Sequence, residues 1–207
     1  MKEFPKPVIV VSKCIEFGPV RWNSEVISSD LVKKLRHCVT FIPVCPEVEI
    51  GLGVPRNPLR VVSSEGKLKL IQPDTATDLT DKMLKFAESF LNSLPAVDGF
   101  ILKSSSPSCA LRDAKVYPNC HEPAPTARGP GFFGKKVLQE YSRVAAEDER
   151  RLTNPRTAKH FLERVFTSAR LRQVKASELQ RQRGNSSPEK HMVHHAGPRV
   201  RMKRKLG

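Results

Sequence analysis

No apolar run in this 207-residue sequence approaches the ~20 residues that a helix crossing a bilayer requires. The opening, MKEFPKPVIVVSKC, has no apolar core followed by small residues at a cleavage site, so it does not read as a secretory signal. Aromatic side chains are scarce at 6%, with one tryptophan, and no internal repeat is present. The five cysteines include no CxxC pair, and structural zinc is usually held by such close pairs. These absences argue against a membrane protein, a secreted disulfide scaffold and a zinc-ribbon module. The expected location is cytoplasmic, where thiols stay reduced and scattered cysteines act as ligands, nucleophiles or core residues.

Negative charge is also in short supply, with 21 acidic against 36 basic side chains and a net charge of +15. The excess is uneven: residues 168–207 hold 11 basic and 2 acidic side chains, +9 of the total. A basic patch suits a polyanionic partner such as RNA, and its plain alternative is a solvated tail. From about Gln173 apolar residues almost vanish. The expected organisation is therefore one folded α/β domain over 1–170 and a basic, disordered tail over 171–207. His191, His194 and His195 lie in that tail and carry no metal expectation, because their spacing suits a metal only on a formed helix.

What is present up to residue 103 is an alternation of strands and helices. Short runs rich in Val, Ile and Phe predict strands at Pro7–Ser12, Val39–Val44 and FILK after Asp98-Gly99. Ser29 or Asp30 caps a helix through LVKKLRH, and Pro46–Pro58 reads as an irregular loop. LRVVS and KLKLIQ, separated by Ser64-Glu65-Gly66, read as a hairpin. Leu79, Met83, Phe86, Phe90, Leu91 and Leu94 recur at helical spacing after Asp78. Further on we expect a short strand at Lys115–Tyr117 and a long loop, a candidate lid, at Pro118–Gly134. Helices are expected at Lys135–Ala146 and from Pro155 to about Arg172. The fold class this predicts is α/β, a mainly parallel sheet with helices on both faces.

Cys14, Cys45 and Cys109 each stand just beyond an apolar run. In an open α/β sheet the loops at the carboxyl ends of the strands converge on the binding crevice. Three thiols distant in sequence are thereby brought to one place, as a metal or iron–sulfur centre with one open position or as incidental buried cysteines. Cys38 reads as a packed or partly buried thiol, and Cys120, in NCHEP, as structural or without a role. Glu47 in PVCPE is a candidate acid–base group beside such a centre, with Glu49 a competitor. Ser106 and Ser108 offer hydroxyls near Cys109, or ordinary turn chemistry. Arg21, Asn23 and Arg56 are candidate polar contacts, and Trp22 can stack on a base or simply pack.

These residues carry a family resemblance. VSKCIEFGPVRWN, FIPVCPEVEIGLGVPRNPLRVV, DGFILKSSSPSC and KVY together resemble the thiouracil desulfurase (desulfidase) family over roughly residues 7–167. The resemblance implies a Rossmann-like domain with a [4Fe–4S] cluster on Cys14, Cys45 and Cys109 at the carboxyl ends of the strands. It implies catalytic roles for Glu47 and Ser106, with Arg21, Asn23 and Ser108 near the substrate. PVCPEVEIGLGVPR and LTNPRTAKHFLERVF are similar to the longer subfamily with a second, helical domain, associated with removing sulfur from 4-thiouridine in transfer RNA. The implied reaction is non-redox hydrolytic desulfuration of a thiolated uracil (free base, nucleoside or transfer RNA) releasing hydrosulfide. Three departures stand out. Ala110 replaces the usual glycine, Pro130 sits in GPGFFG, and residues after about 170 do not resemble the helical domain. The chain therefore reads as a shortened relative, with an inactive remnant or a non-catalytic RNA-binding protein as the alternatives. Oligomeric state is left open.

Overall fold

The computed structural model describes residues 5–185. Strand β1 (Val8–Ser12) lies between two parallel neighbours, β2 (Thr40–Val44) and β6 (Gly99–Leu102), and β6 pairs in parallel with β9 (Ala145–Asp148). The order β2-β1-β6-β9 is an open parallel sheet, as the run-and-helix pattern predicts. Its faces follow the period-two alternation of strand side chains. Val10, Phe100 and Leu102 pack with Met83, Ala87 and Leu91 of α3 (Thr80–Ser93) and Phe133 and Val137 of α4 (Phe132–Glu140). Ile9, Val11 and Ile101 face the other way, against Val32 and Leu35 of α1 (Asp30–Leu35) and Phe161 and Val165 of α5 (Pro155–Asn185). Ser29 caps α1 as expected, its hydroxyl accepting from the Val32 amide.

A second, mixed sheet stands beside the first. The predicted hairpin forms from β3 (Arg60–Ser64) and β4 (Lys67–Gln72), turning through Glu65 (φ 51°) and Gly66 (φ 74°). Two left-handed residues in a two-residue loop match the twist of the paired strands. Around it the order is β5-β4-β3-β7-β8, with β5 at Thr77–Asp78, β7 at Ala114–Tyr117 and β8 at Ala127–Gly129. Val61, Leu70 and Val116 carry this sheet into the core that α3 and α4 share.

Several expectations need correction. Pro46–Pro58 is not all loop, because Pro46–Glu49 forms a short helix, α2, with proline at its first position. Pro118–Gly134 is not a lid: it holds β8 and the first turn of α4. The helix expected over Lys135–Ala146 ends at Glu140, and 145–148 is β9. Its sequence, AAED, has none of the β-branched or aromatic residues that mark a strand. Cys38 is exposed rather than packed or partly buried. Packing divides the chain at Gln173, and α5 itself continues to Asn185. Residues 171–185 are therefore helical: Gln, Arg, Lys, Ala, Glu and Leu are good helix formers, with no glycine or proline from 156 to 183. The rest of the expected tail, with its histidines, lies outside the described residues. Among those described, no helix is long and apolar enough to cross a membrane.

Candidate active site

All four parallel strands end at one cavity of ≈ 310 Å³. The chain runs outward from β1 to β2 and then returns to β6 on the other side of β1. The carboxyl ends of β1 and β6 therefore form the switch point where open α/β sheets bind ligands. Cys14, Cys45 and Cys109 all line the cavity, as their positions beyond the strands predict.

Each cysteine is set by its own local structure. Cys14 follows β1, and its carbonyl accepts from the Ile27 amide at 2.8 Å. Cys45 is the residue before α2, and its carbonyl accepts from the Val48 and Glu49 amides at 3.0 and 3.1 Å. Cys109 closes a tight turn in which the Ser106 hydroxyl oxygen accepts from the Ser108 and Cys109 amides at 3.2 and 3.0 Å. The start of α4 clamps this turn, with the Gly131 amide on Ala110 O at 2.8 Å and the Gly134 amide on Ser108 O at 3.0 Å. A Cβ on Gly131 would fall 2.6 Å from the Ser108 carbonyl, and one on Gly134 2.2 Å from that of Ala110. Gly131 and Gly134 of GPGFFG are needed for this close approach, whereas a Cβ on Gly129 would meet open space. Ala110 is not strained, since it is not among the positive-φ residues.

The three thiols are free and lie close enough to influence one another's ionisation. Burial pushes the Cys14 thiol up to about 12; the neighbouring Cys45 adds to this, and Lys103 opposes it. Burial also raises Cys45, against the pull of the Val48 amide. Cys109 is pushed furthest, by burial first, although the Ser12 hydroxyl bonded to its sulfur opposes the shift. Among the described residues no three His, Cys, Asp or Glu side chains converge on a point that a single metal ion would need. An iron–sulfur cluster makes a different demand, because each thiolate binds its own iron and the donors stand apart around it. Three soft donors, two buried and Cys45 half-buried, costly as thiolates until a cation compensates them, match that demand.

Glu47 reaches the same cavity from α2. Its Oε2 accepts from Arg56 Nε at 2.9 Å and pairs with Nη2 at 2.7 Å, and its Oε1 accepts from the Ser108 hydroxyl at 2.9 Å. Arg56 also donates through Nη1 to the carbonyls of Val20 and Gly53. Glu49 does not line the cavity. One turn of helix explains the choice, since two residues along α2 rotate a side chain by about 200°.

Ser106 lines the cavity, and with its oxygen engaged by two amides its O–H remains to donate. Ser108 is fully buried and spent on Glu47. Arg21 lines the rim and pairs with Glu25. Asn23 accepts from the Glu25 amide at 3.4 Å and does not line the cavity. Trp22 stands exposed at the mouth. Neither Cys38 nor Cys120 takes part. The sequence reading assigned nothing to Lys103, Glu149 or Arg150. Lys103 and Arg150 line the cavity, and Glu149 pairs with Lys103. The signal for the last two is their place after β9, a strand the sequence conceals.

The comparisons identify the family and match the fold. The family model described as 2-thiouracil desulfurase matches residues 9–149, from within β1 to the residue just past β9. The solved structure of the [4Fe–4S]-dependent thiouracil desulfidase TudS superposes with a TM-score of 0.56 at 27% identity, covering 72% of this chain and 94% of that one. An uncharacterized protein of Bacillus subtilis (strain 168), YbbK, is 28% identical over 109 residues, 49% of this chain and 72% of its own length. With its open parallel sheet and three strand-end thiols around one cavity, the chain belongs to the 2-thiouracil desulfurase family.

Proposed function

We propose that the protein is a [4Fe–4S]-dependent desulfurase that hydrolyses the thiocarbonyl of a thiolated uracil. The observation that carries this is the meeting of three free thiols, Glu47 and Ser106 at one cavity in a chain of this family. Cys14, Cys45 and Cys109 are the residues that would hold the cluster. When bound, it supplies a Lewis-acidic iron with an open position for the substrate's sulfur.

The remaining chemistry belongs to the chain. Arg56 and Ser108 hold the Glu47 carboxylate from both sides, which fixes its direction toward the cavity. Glu47 takes the proton from the water that attacks the ring carbon. Ser106 donates its O–H to a heteroatom of the ring, and Arg21 meets an exocyclic oxygen at the rim. Water replaces sulfur on carbon: C=S and H₂O give C=O, hydrosulfide and a proton, with no net oxidation or reduction. Ser108 acts by positioning Glu47, and Asn23 by shaping the Arg21 loop. The preferred substrate is 4-thiouridine in transfer RNA, with free thiouracil or thiouridine as the smaller alternatives. The basic character of the chain, +15 overall, supports the polyanion.

Anaerobic reconstitution tests the reading. The expected result is about four irons per chain and conversion of 4-thiouracil to uracil with release of sulfide. Cys109→Ala should abolish both, whereas Glu47→Gln should keep the iron and lose turnover. Protein that takes up no iron overturns the cluster, and full turnover in Glu47→Gln overturns the acid–base assignment. Turnover faster on 4-thiouridine-containing transfer RNA than on the nucleoside, with a steep loss in salt, identifies the polymer as substrate.

A further inference from the structure

The carboxyl ends of β6 and β9 hold a buried ion pair that plays no part in the steps above. Lys103 stands one residue past β6 and Glu149 one past β9. Lys103 Nζ lies 2.6 Å from Glu149 Oε1, with the two side chains 13% and 8% exposed. Glu149 also accepts from the Ser104 amide at 2.8 Å and the Ser104 hydroxyl at 2.7 Å. The ammonium donates further to Ser104 O at 3.0 Å and Ser104 Oγ at 3.1 Å. An ammonium has three protons, and here all three have acceptors. Lys103 therefore has none left to donate to a ligand. It is held as a fixed charge.

That charge sits on the cavity side of the pair: Lys103 and Ser104 line the cavity, and Glu149 does not. The Lys103 amide donates to Ser12 Oγ at 2.9 Å, and the same hydroxyl bonds the Cys109 sulfur. The lysine is thus tied to the strand ends that carry Cys14 and Cys109. Stability is a weak reason for such a pair, since well-packed apolar side chains of similar volume often do as well. An anionic centre beside it is a better one. A cluster on three thiolates concentrates negative charge at the cavity, and its reduction potential follows the net charge and hydrogen bonds around it.

We propose that Lys103, fixed by Glu149, is a positioning residue for charge in the three-thiol cradle: a permanent cation beside Cys14 that offsets the charge of the thiolates and raises the potential of the cluster they hold. This rests on the cluster reading above. The test is redox titration and chelator-release kinetics of the reconstituted full chain and its variants. Lys103→Gln should lower the midpoint potential by roughly tenfold in the equilibrium, ~59 mV for one electron, and speed iron loss to a chelator. Glu149→Gln should shift the potential the opposite way, and Lys103→Arg should keep the wild-type value. The double variant, Lys103→Gln with Glu149→Gln, should return toward wild type. Because Lys103→Gln leaves a buried carboxylate unpaired and can fail to fold, the double variant against Glu149→Gln reads the lysine with the carboxylate already neutral. A merely structural role shifts both single variants the same way, or neither. Either result, with wild type holding iron, overturns this inference alone; wild type that takes up no iron overturns the cluster reading and this inference with it.

Discussion

Replacing Arg56 with methionine should destabilise the fold as well as slow turnover. The guanidinium and the Glu47 carboxylate are 6% and 12% exposed, and Arg56 spends two of its nitrogens on one carboxylate oxygen. Removing one partner of a buried pair costs ~3–5 kcal/mol, because the other charge is left without compensation. Ser108 still serves Oε1 and the cavity admits water, so we take the lower end, ~3 kcal/mol. With a urea slope of ~2 kcal/mol per molar, the midpoint should fall by ~1.5 M. Adding Glu47→Gln to Arg56→Met removes the stranded charge, so the double variant should be more stable than the sum of the single losses. The assay is urea unfolding of the metal-free protein by circular dichroism, with 4-thiouracil turnover measured on the reconstituted variants. A loss under ~1 kcal/mol in Arg56→Met, or additivity within ~0.5 kcal/mol, would refute the reasoning.

Gly134→Ala should destabilise despite alanine's better helix propensity, since the new methyl meets the Ala110 carbonyl at 2.2 Å and helix α4 must shift. We expect a loss of ~3 kcal/mol, read as a Tm lower by ~6 °C or more, together with poorer iron retention; an unchanged or raised Tm counts against the clamp. Asp113 gives a pH signature. Burial opposes its ionisation, but the Ser105 amide at 2.7 Å and hydroxyl at 2.8 Å outweigh it and hold the carboxyl below its ordinary 3.8. A folded-state value below the unfolded one contributes stability that is present above about pH 4 and is lost as pH falls through the folded value. Asp113→Asn should therefore flatten the acid limb of a stability–pH curve, and an unaltered limb would show that Ser105, at φ 56°, is held by something else.

The parts of the fold legible in the sequence are those whose signal is local. VIVVS, TFIPV and GFIL announce the three strands that place the cysteines, and Met83 and Leu91 announce the core face of α3, to which the structure adds Ala87. The convergence of Cys14, Cys45 and Cys109 was readable because it needs only strand ends and parallel pairing. What stayed hidden depends on non-local partners. Strand β9 earns its place by pairing with β6, since AAED alone resembles the end of the preceding helix. With β9 unseen, Glu149 had no location and Lys103 no partner. Ser106 and Ser108 look equivalent in sequence, yet α4 seals Ser108 into the interior and leaves Ser106 on the cavity. Spacing ranks neither Glu47 nor Glu49 first; the short helix after Cys45 does.

The cavity also fixes when the protein can first become competent. Its walls come from Lys13 and Cys14 near one end and from Arg150 far along the chain, with Cys45 and Cys109 between. No fragment that stops before β9 holds the whole set, and each wall is joined to the next by contacts of long sequence separation. Such contacts close late, after the entropy of the intervening loops has been surrendered. On the ribosome, a growing chain therefore exposes three unassembled thiols until residues 145–150 have emerged and docked. Under the proposed function, a cluster could be assembled on these thiols only once the fold is finished.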